Sequence, residues 1–206
     1  MISRFDLAGS QKTGLYLDQK ENRLAASRYA QGREVLDVCC YVGGFGLAAH
    51  VLGKATSVAF VDGSARPLEA ARKNALDNGL TNAEYLEGDC FDLLAQFQNE
   101  GRKFDMVTLD PPRFASSRRT IPAALQAYHR LNRLGISLLR PGGILVTCSC
   151  SGNISRQQFL DMLGGVSRKA RREILVLENR GAAPDHPVRL ACPETDYLKC
   201  IIACAE

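Results

Sequence analysis

The sequence predicts an α/β fold, a mostly parallel sheet covered by helices on both faces, and three observations carry that reading. Apolar, β-rich runs alternate five times with helix-period segments across short connections. The first run, Val35-Leu36-Asp37-Val38, empties into a glycine turn, Val42-Gly43-Gly44-Phe45-Gly46, and a small-residue helix follows at once. Four successive runs also end in or near an acid: Asp37, Asp62, Asp89 and Asp110.

Composition narrows the class before any motif does. With 206 residues the chain makes one domain with a full core, and 46% hydrophobic against 23% charged residues is ordinary for a soluble globular protein. A net charge of +4 is mild, compatible with an acidic partner such as RNA. The eight cysteines include Cys39-Cys40 and Cys148-x-Cys150, which local geometry makes awkward as a disulfide framework. No CxxC pair has zinc spacing and histidines number three, so reduced thiols in a cytoplasmic protein without a metal are expected. No charged-then-apolar leader is visible, and no apolar stretch approaches the ~20 residues that span a bilayer, so no membrane association is expected.

The elements follow in order. Residues 1–30 are expected to form a strand-and-helix lip and residues 31–206 the domain proper. Gln11 to Gln19 reads as a short strand after a polar turn, and Glu21 to Ala30 carries apolar residues at helical spacing. That helix either packs on the sheet edge or covers a pocket, with Tyr16, Asp18, Gln19 and Arg23 at its lip. Residues 45–53 make the helix after the glycine turn, and Thr56 to Asp62 the second strand. Past Asp62-Gly63, Ser64 caps a helix that holds Pro67 in its first turn and stops at Asn78-Gly79. Glu84 to Asp89 is the third strand, Cys90 to Gln98 a helix, and Phe104 to Asp110 the fourth strand, broken by Pro111-Pro112. A loop with Arg113, Arg118 and Arg119 leads to a helix from Ile121 to Arg140. Pro141-Gly142-Gly143 then turns into the fifth strand, Ile144 to Ser149. Residues 154–165 read as helix, and 173–178 and 197–204 as two further strands.

In open α/β sheets the ligand sits at the carboxyl ends of the strands, where Gly43 and Gly44 permit a left-handed turn and close backbone approach. One acid at a strand end is usually a helix cap or turn former. Four in register beside a glycine turn suit a nucleoside: Asp62 accepts from both ribose hydroxyls, while Asp89 and the Cys90 amide meet the adenine edge. A nicotinamide cofactor would want G-x-G-x-x-G and a helix N-terminus for its pyrophosphate. No basic residue waits for phosphate here, and Asp37 suits a cationic ammonium or sulfonium. S-adenosyl-L-methionine fits best.

Two strand ends carry the chemistry. Asp110-Pro111-Pro112 leaves carbonyls free to accept from an exocyclic amine while Asp110 bonds a ring nitrogen. Its other reading is a rigid strand exit. Base N-methyltransferases usually place an aromatic residue next; here Arg113 stands there, with Phe114 one step on. At the fifth strand, Cys148 and Cys150 share one face while Ser149 points away. Cys39, Cys40, Cys148, Cys200 and Cys204 read as small inert hydrophobes. Cys150, at the exit and level with Asp110, is placed to attack C6 of a pyrimidine. That addition is what makes C5 nucleophilic.

Four segments resemble a known family: Gln11-Lys12-Thr13-Gly14-Leu15-Tyr16-Leu17-Asp18-Gln19-Lys20-Glu21-Asn22-Arg23, Tyr41-Val42-Gly43-Gly44-Phe45-Gly46, Asp110-Pro111-Pro112-Arg113-Phe114 and Ser149-Cys150-Ser151-Gly152. The family is the bacterial large-subunit (23S) ribosomal RNA cytosine-C5 methyltransferases, which are class I, Rossmann-like enzymes. The resemblance covers nearly the whole chain. It implies a seven-stranded, mostly parallel sheet, Cys150 as nucleophile and Asp110 as the acid that binds the base. Asp185-His186-Pro187 and Tyr197-Leu198-Lys199 also resemble late segments of the family near its site. Relatives carry an N-terminal RNA-binding PUA domain and a β-rich linker, for which these residues hold no counterpart, so a fragment or a naturally short form is expected. Lys20 stands where arginine is usual, and Cys148 fills a position that is often aromatic.

The function expected from these readings is methyl transfer from S-adenosylmethionine to C5 of a cytosine in ribosomal RNA. Pro111, Pro112, Arg113 and Phe114 would hold the base, and Arg118 and Arg119 would meet phosphates; those arginines read equally as a solvated loop. An RNA N-methyltransferase acting on guanine or adenine, a small-molecule methyltransferase and a silent cofactor-binding module stay open, with a nicotinamide enzyme behind them. The residues do not separate a monomer from a homodimer.

Overall fold

The computed structural model of the protein describes residues 15–206. Seven strands form one sheet: β1 (Glu34–Val38), β2 (Ser57–Asp62), β3 (Ala83–Glu87), β4 (Phe104–Leu109), β5 (Leu139–Ser149), β6 (Ile174–Arg180) and β7 (Lys199–Ala205). Their order is β3-β2-β1-β4-β5-β7-β6, with β1 to β5 parallel and β7 antiparallel to both neighbours. The helices are α1 (Lys20–Ser27), α2 (Gly44–Val51), α3 (Ala65–Asp77), α4 (Cys90–Asn99), α5 (Ile121–Ser137) and α6 (Arg156–Ala170).

Central strands buried on both faces should be apolar throughout, and β1 and β4 are nearly so. Alternate side chains feed two cores. Leu36, Val38, Val107 and Leu109 point to a cluster with Phe97 of α4, Tyr128 and Leu131 of α5 and Phe159 of α6. Val35, Met106, Val58 and Phe60 point to the opposite cluster with Ala25 of α1, Leu47 of α2 and Leu68 of α3. From β1 the chain moves outward to β2 and β3, then returns to β4 on the other side of β1. The crevice at that reversal, beyond Val38 and Leu109, is where this topology places a ligand.

Four expectations differ from the structure. Residues 17–19 form a 3-10 turn leading into α1, where the sequence predicts a strand; Gln11 to Gly14 of that strand lie outside the described residues. Tyr16 takes a left-handed φ of 47° and its carbonyl accepts from the Gln19 amide, which curls the segment. The helix α5 stops at Ser137, short of Arg140, because the Arg172 guanidinium binds the carbonyls of Ile136, Leu139, Arg140 and Ala205 and ends the helix there. Pro141-Gly142-Gly143 lies inside β5 as an irregularity, with Gly142 at φ 71° and a shift in register against β4. Ser64 stands at the N-cap of α3 without a side-chain cap; its amide instead donates to Asp62 Oδ1 at 3.0 Å.

Candidate active site

The turn after β1 is built from residues in unusual conformations. Cys39 (φ 57°), Tyr41 (φ 52°) and Gly43 (φ 86°) are all left-handed. For the first two this is strain of a kind that clusters at functional sites. The Tyr41 amide donates to Asp62 Oδ2 at 2.8 Å, tying the turn to the end of β2. Gly44 leaves room for the Arg23 guanidinium, since a Cβ there would stand 2.6 Å from Arg23 Nε and push that side chain aside. At Gly46 a Cβ would meet the Phe60 ring and come within 2.8 Å of Val58 Cγ1, so its lack of one lets α2 lie on β2. The Gly46 amide donates to Asp37 Oδ2 at 2.7 Å.

This turn and the ends of β2, β3, β4 and β5 enclose a crevice of about 930 Å³. Its electrostatics are acidic. Asp37 is 1% exposed, and loss of water pushes its carboxyl up to about 7 even against the Gly46 amide. Asp110 is pushed up to about 6 for the same reason, opposed by the Arg23 charge and a hydrogen bond from Gln19. Burial also raises Asp62. Among the described residues, Asp18 Oδ1, Asp37 Oδ1 and Arg23 Nε are buried without a hydrogen-bond partner, and all three residues line the crevice. Buried polar atoms are rarely left so, and this set suits a ligand that carries positive charge together with an anionic group.

The wall opposite comes from β4 and β5. Gln19 is buried and donates through Nε2 to Asp110 Oδ1 at 3.0 Å, while its Oε1 accepts from Asn22 at 2.6 Å. The amide of Gln19 is thus spent on holding Asp110. Ser151 joins the two exit loops: its Oγ accepts from the Ala115 amide at 3.2 Å and lies 3.1 Å from the Tyr128 hydroxyl. Cys148 is buried within the sheet and Cys150 opens on the crevice. Phe114 leans on Tyr128, with ring centroids 4.7 Å apart, and so packs partly inward.

Of the residues expected to bind cofactor, all but Gly43 line the crevice, as do Pro112, Arg113, Phe114 and Cys150. Gly43 instead turns the chain against Phe60 and Ala71. Arg118 and Arg119 sit in an exposed 3-10 turn away from it. Asp89 lines the crevice and also caps α4, accepting from the Phe91 and Asp92 amides. Asp185 pairs with Lys20 at 2.8 Å, on the outer side of α1. Cys39 departs from its reading as an inert hydrophobe: it is half-buried, lines the crevice and contacts the Cys90 thiol. Sequence reasoning passed over Arg66, Pro67 and Ala70, which α3 brings to the rim by helical spacing from Ser64. It also gave no role to Tyr197, whose hydroxyl donates to Asp18 Oδ2 at 2.6 Å. None of the eight cysteines forms a disulfide. Among the described residues no cluster of His, Cys, Asp and Glu could hold a metal, and no helix is long and apolar enough to cross a membrane.

Compared with known proteins, residues 1–190 match a family described as S-adenosylmethionine-dependent methyltransferase. The chain is 42% identical over 200 residues to ribosomal RNA large subunit methyltransferase I of Shewanella denitrificans, covering 96% of this chain and 50% of that protein. Against the protein of the same name from Photobacterium profundum it is 43% identical over 196 residues, with 94% and 49% covered. The chain spans about half the length of the curated relatives it matches. Among solved structures it resembles SMU.776, described as a methyltransferase and crystallised with SAH, at a TM-score of 0.83 and 24% identity, covering 95% of this chain and 51% of that one. At that identity the likeness speaks to the fold alone.

Proposed function

The chain belongs to the S-adenosylmethionine-dependent methyltransferase family, and we propose that this domain modifies C5 of a cytosine in large-subunit ribosomal RNA with Cys150 as a covalent nucleophile. One observation carries the reading: Cys150 from the end of β5 and Asp110 from the end of β4 line the same crevice as the acids of β1 and β2. When bound, S-adenosylmethionine supplies the electrophilic methyl group that C5 takes up. Asp62 would hold its ribose, Asp89 and the Cys90 amide its adenine, Asp37 and Asp18 its positive charge, and Arg23 its carboxylate. The unpartnered atoms of Asp18, Asp37 and Arg23 support this set. Within the expected lip of residues 1–30, Tyr16, Asp18, Gln19 and Arg23 border that pocket, in a protein of the reducing cytoplasm.

The target base is flipped from its stack into the crevice. Asp110, whose carboxyl is pushed up to about 6 and so keeps a protonated fraction near neutral pH, shares its proton with N3, and the Pro111 carbonyl accepts from the exocyclic amine. The Cys150 thiolate adds to C6: an Sγ–C6 bond forms and the π pair of C5=C6 moves to C5, which becomes the nucleophile. Once C5 is substituted, a base removes its proton, the pair restores C5=C6, and the Sγ–C6 bond breaks to release the thiolate. Arg113 at the rim and Arg118 and Arg119 beyond it meet RNA phosphates.

The test supplies methyl-labelled S-adenosylmethionine and unmodified ribosomal RNA to the wild type and to Cys150→Ala, then separates the digested nucleosides. Label in 5-methylcytidine from the wild type alone is expected. Label in an N-methylated guanosine or adenosine, or equal label from Cys150→Ala, overturns the cysteine mechanism.

A further inference from the structure

We propose that Lys199 is the positioning residue for Cys150: its ammonium anchors the loop that carries the thiol and supplies the positive charge that holds it as thiolate. The inference rests on the reading of Cys150 as nucleophile. Lys199 opens β7 and lies across from Ser149 in the antiparallel register with β5. It is 1% exposed, an unusual place for an ammonium, which is costly to bury without a counter-charge. Nζ donates to the Ser151 carbonyl at 2.7 Å and the Tyr197 carbonyl at 2.9 Å. Both acceptors are neutral, and among the described residues Lys199 enters no salt bridge.

The two acceptors say what the ammonium is for. Ser151 follows Cys150 directly, and Tyr197 lines the crevice beside it. Fixing both carbonyls fixes the backbone from which Sγ projects, while the Ser151 hydroxyl ties the same turn to Tyr128 and Ala115. Among the described residues, the charged or titratable groups that face Lys199 are Cys150, Arg156 of α6 and Asp196 before β7. Arg156 and Asp196 pair with each other at 3.2 Å, which leaves the Cys150 sulfur as the acid facing the ammonium. Around Cys150 stand the tyrosines Tyr16, Tyr128 of α5 and Tyr197, each with its ionisation raised and so neutral, and among the described residues Lys199 is a cation that faces it. Burial brings Lys199 itself down to about 8, still charged at neutral pH. A cation beside a thiol lowers its pKa, and the proton leaves to solvent through the open crevice.

The experiment follows iodoacetamide alkylation of Cys150 from pH 5 to 10, resolved peptide by peptide by mass spectrometry, with exposed Cys192 as internal reference. In the wild type the Cys150 midpoint should fall below that of Cys192. Lys199→Gln keeps an amide donor without the charge and should slow Cys150 at pH 7 by about tenfold, as a one-unit rise in thiol pKa requires. Lys199→Arg should recover most of the rate, which a loss of packing alone would not. A wild-type midpoint at or above that of Cys192, or an unchanged Cys150 profile in folded Lys199→Gln, overturns the proposal. The readout needs neither RNA nor cofactor, so its failure stands apart from failure of the covalent mechanism, which the Cys150→Ala labelling reports.

Discussion

Asp37 has one oxygen hydrogen-bonded to the Gly46 amide and the other without a hydrogen-bond partner among the described residues, in a setting that withholds water from both. Such a carboxylate is stabilised by a cation, and its cost without one is visible in pH. In the folded chain it protonates near 7, whereas an unfolded aspartate protonates near ~3.9. Between those values the folded state binds the extra proton, so this group's contribution is full below about pH 4 and is lost as pH rises through 7. Without cofactor, chemical denaturation should therefore show the wild type losing stability relative to Asp37→Asn between pH 5 and pH 8; equal slopes would refute it. The same variant should bind S-adenosylmethionine about 10- to 100-fold more weakly by calorimetry at pH 8, the 1.5–3 kcal/mol typical of a hydrogen bond to a charged group. Its affinity for the uncharged sulfide product should fall less. Here the acid's place in the crevice was legible, since it recurs with Asp62 and Asp110 at strand ends; that one oxygen would be spent on Gly46 was not.

At the scale of elements, β1, β2 and β4 could be read because each is a short, largely apolar run closed by a turn former. The lip could not. Its 3-10 turn depends on Gln19 reaching Asp110 and Arg23 reaching the Leu15 carbonyl, contacts made with distant or unlike segments. Lys199 was placed near the site by resemblance alone; its burial and its partners Ser151 and Tyr197 follow from where β7 inserts. The end of α5 likewise depended on Arg172, on the far side of α6 in sequence. The α2–β2 contact makes an element-scale prediction. Gly46→Ala sets a methyl group against Phe60 and Val58, both buried and without room to move. Overpacking of this kind costs about 1–3 kcal/mol, to be read as a lower urea midpoint at unchanged slope. A variant as stable as the wild type would show that the helix can ride outward freely.

For the molecule as a whole, a net charge of +4 over 206 residues gives no broad basic field, so the proposed affinity for RNA would have to come from local cations. If Arg118 and Arg119 each neutralise a phosphate, RNA affinity should fall with salt, and Arg118→Ala with Arg119→Ala should flatten the logarithmic salt slope by about 1.4, at ~0.7 per single-strand phosphate. An unchanged slope would return both arginines to a merely solvated turn. The order of the sheet, β3-β2-β1-β4-β5-β7-β6, has a consequence for how the molecule comes into being. The strand between β5 and β6 is made after both of them. During synthesis β6 therefore has no neighbour to pair with, and the Cys150 loop lacks its Lys199 anchor, until β7 has emerged and entered the gap. A nascent chain can assemble the β1–β4 side of the crevice early, yet the Cys150 loop is set only when β7 docks.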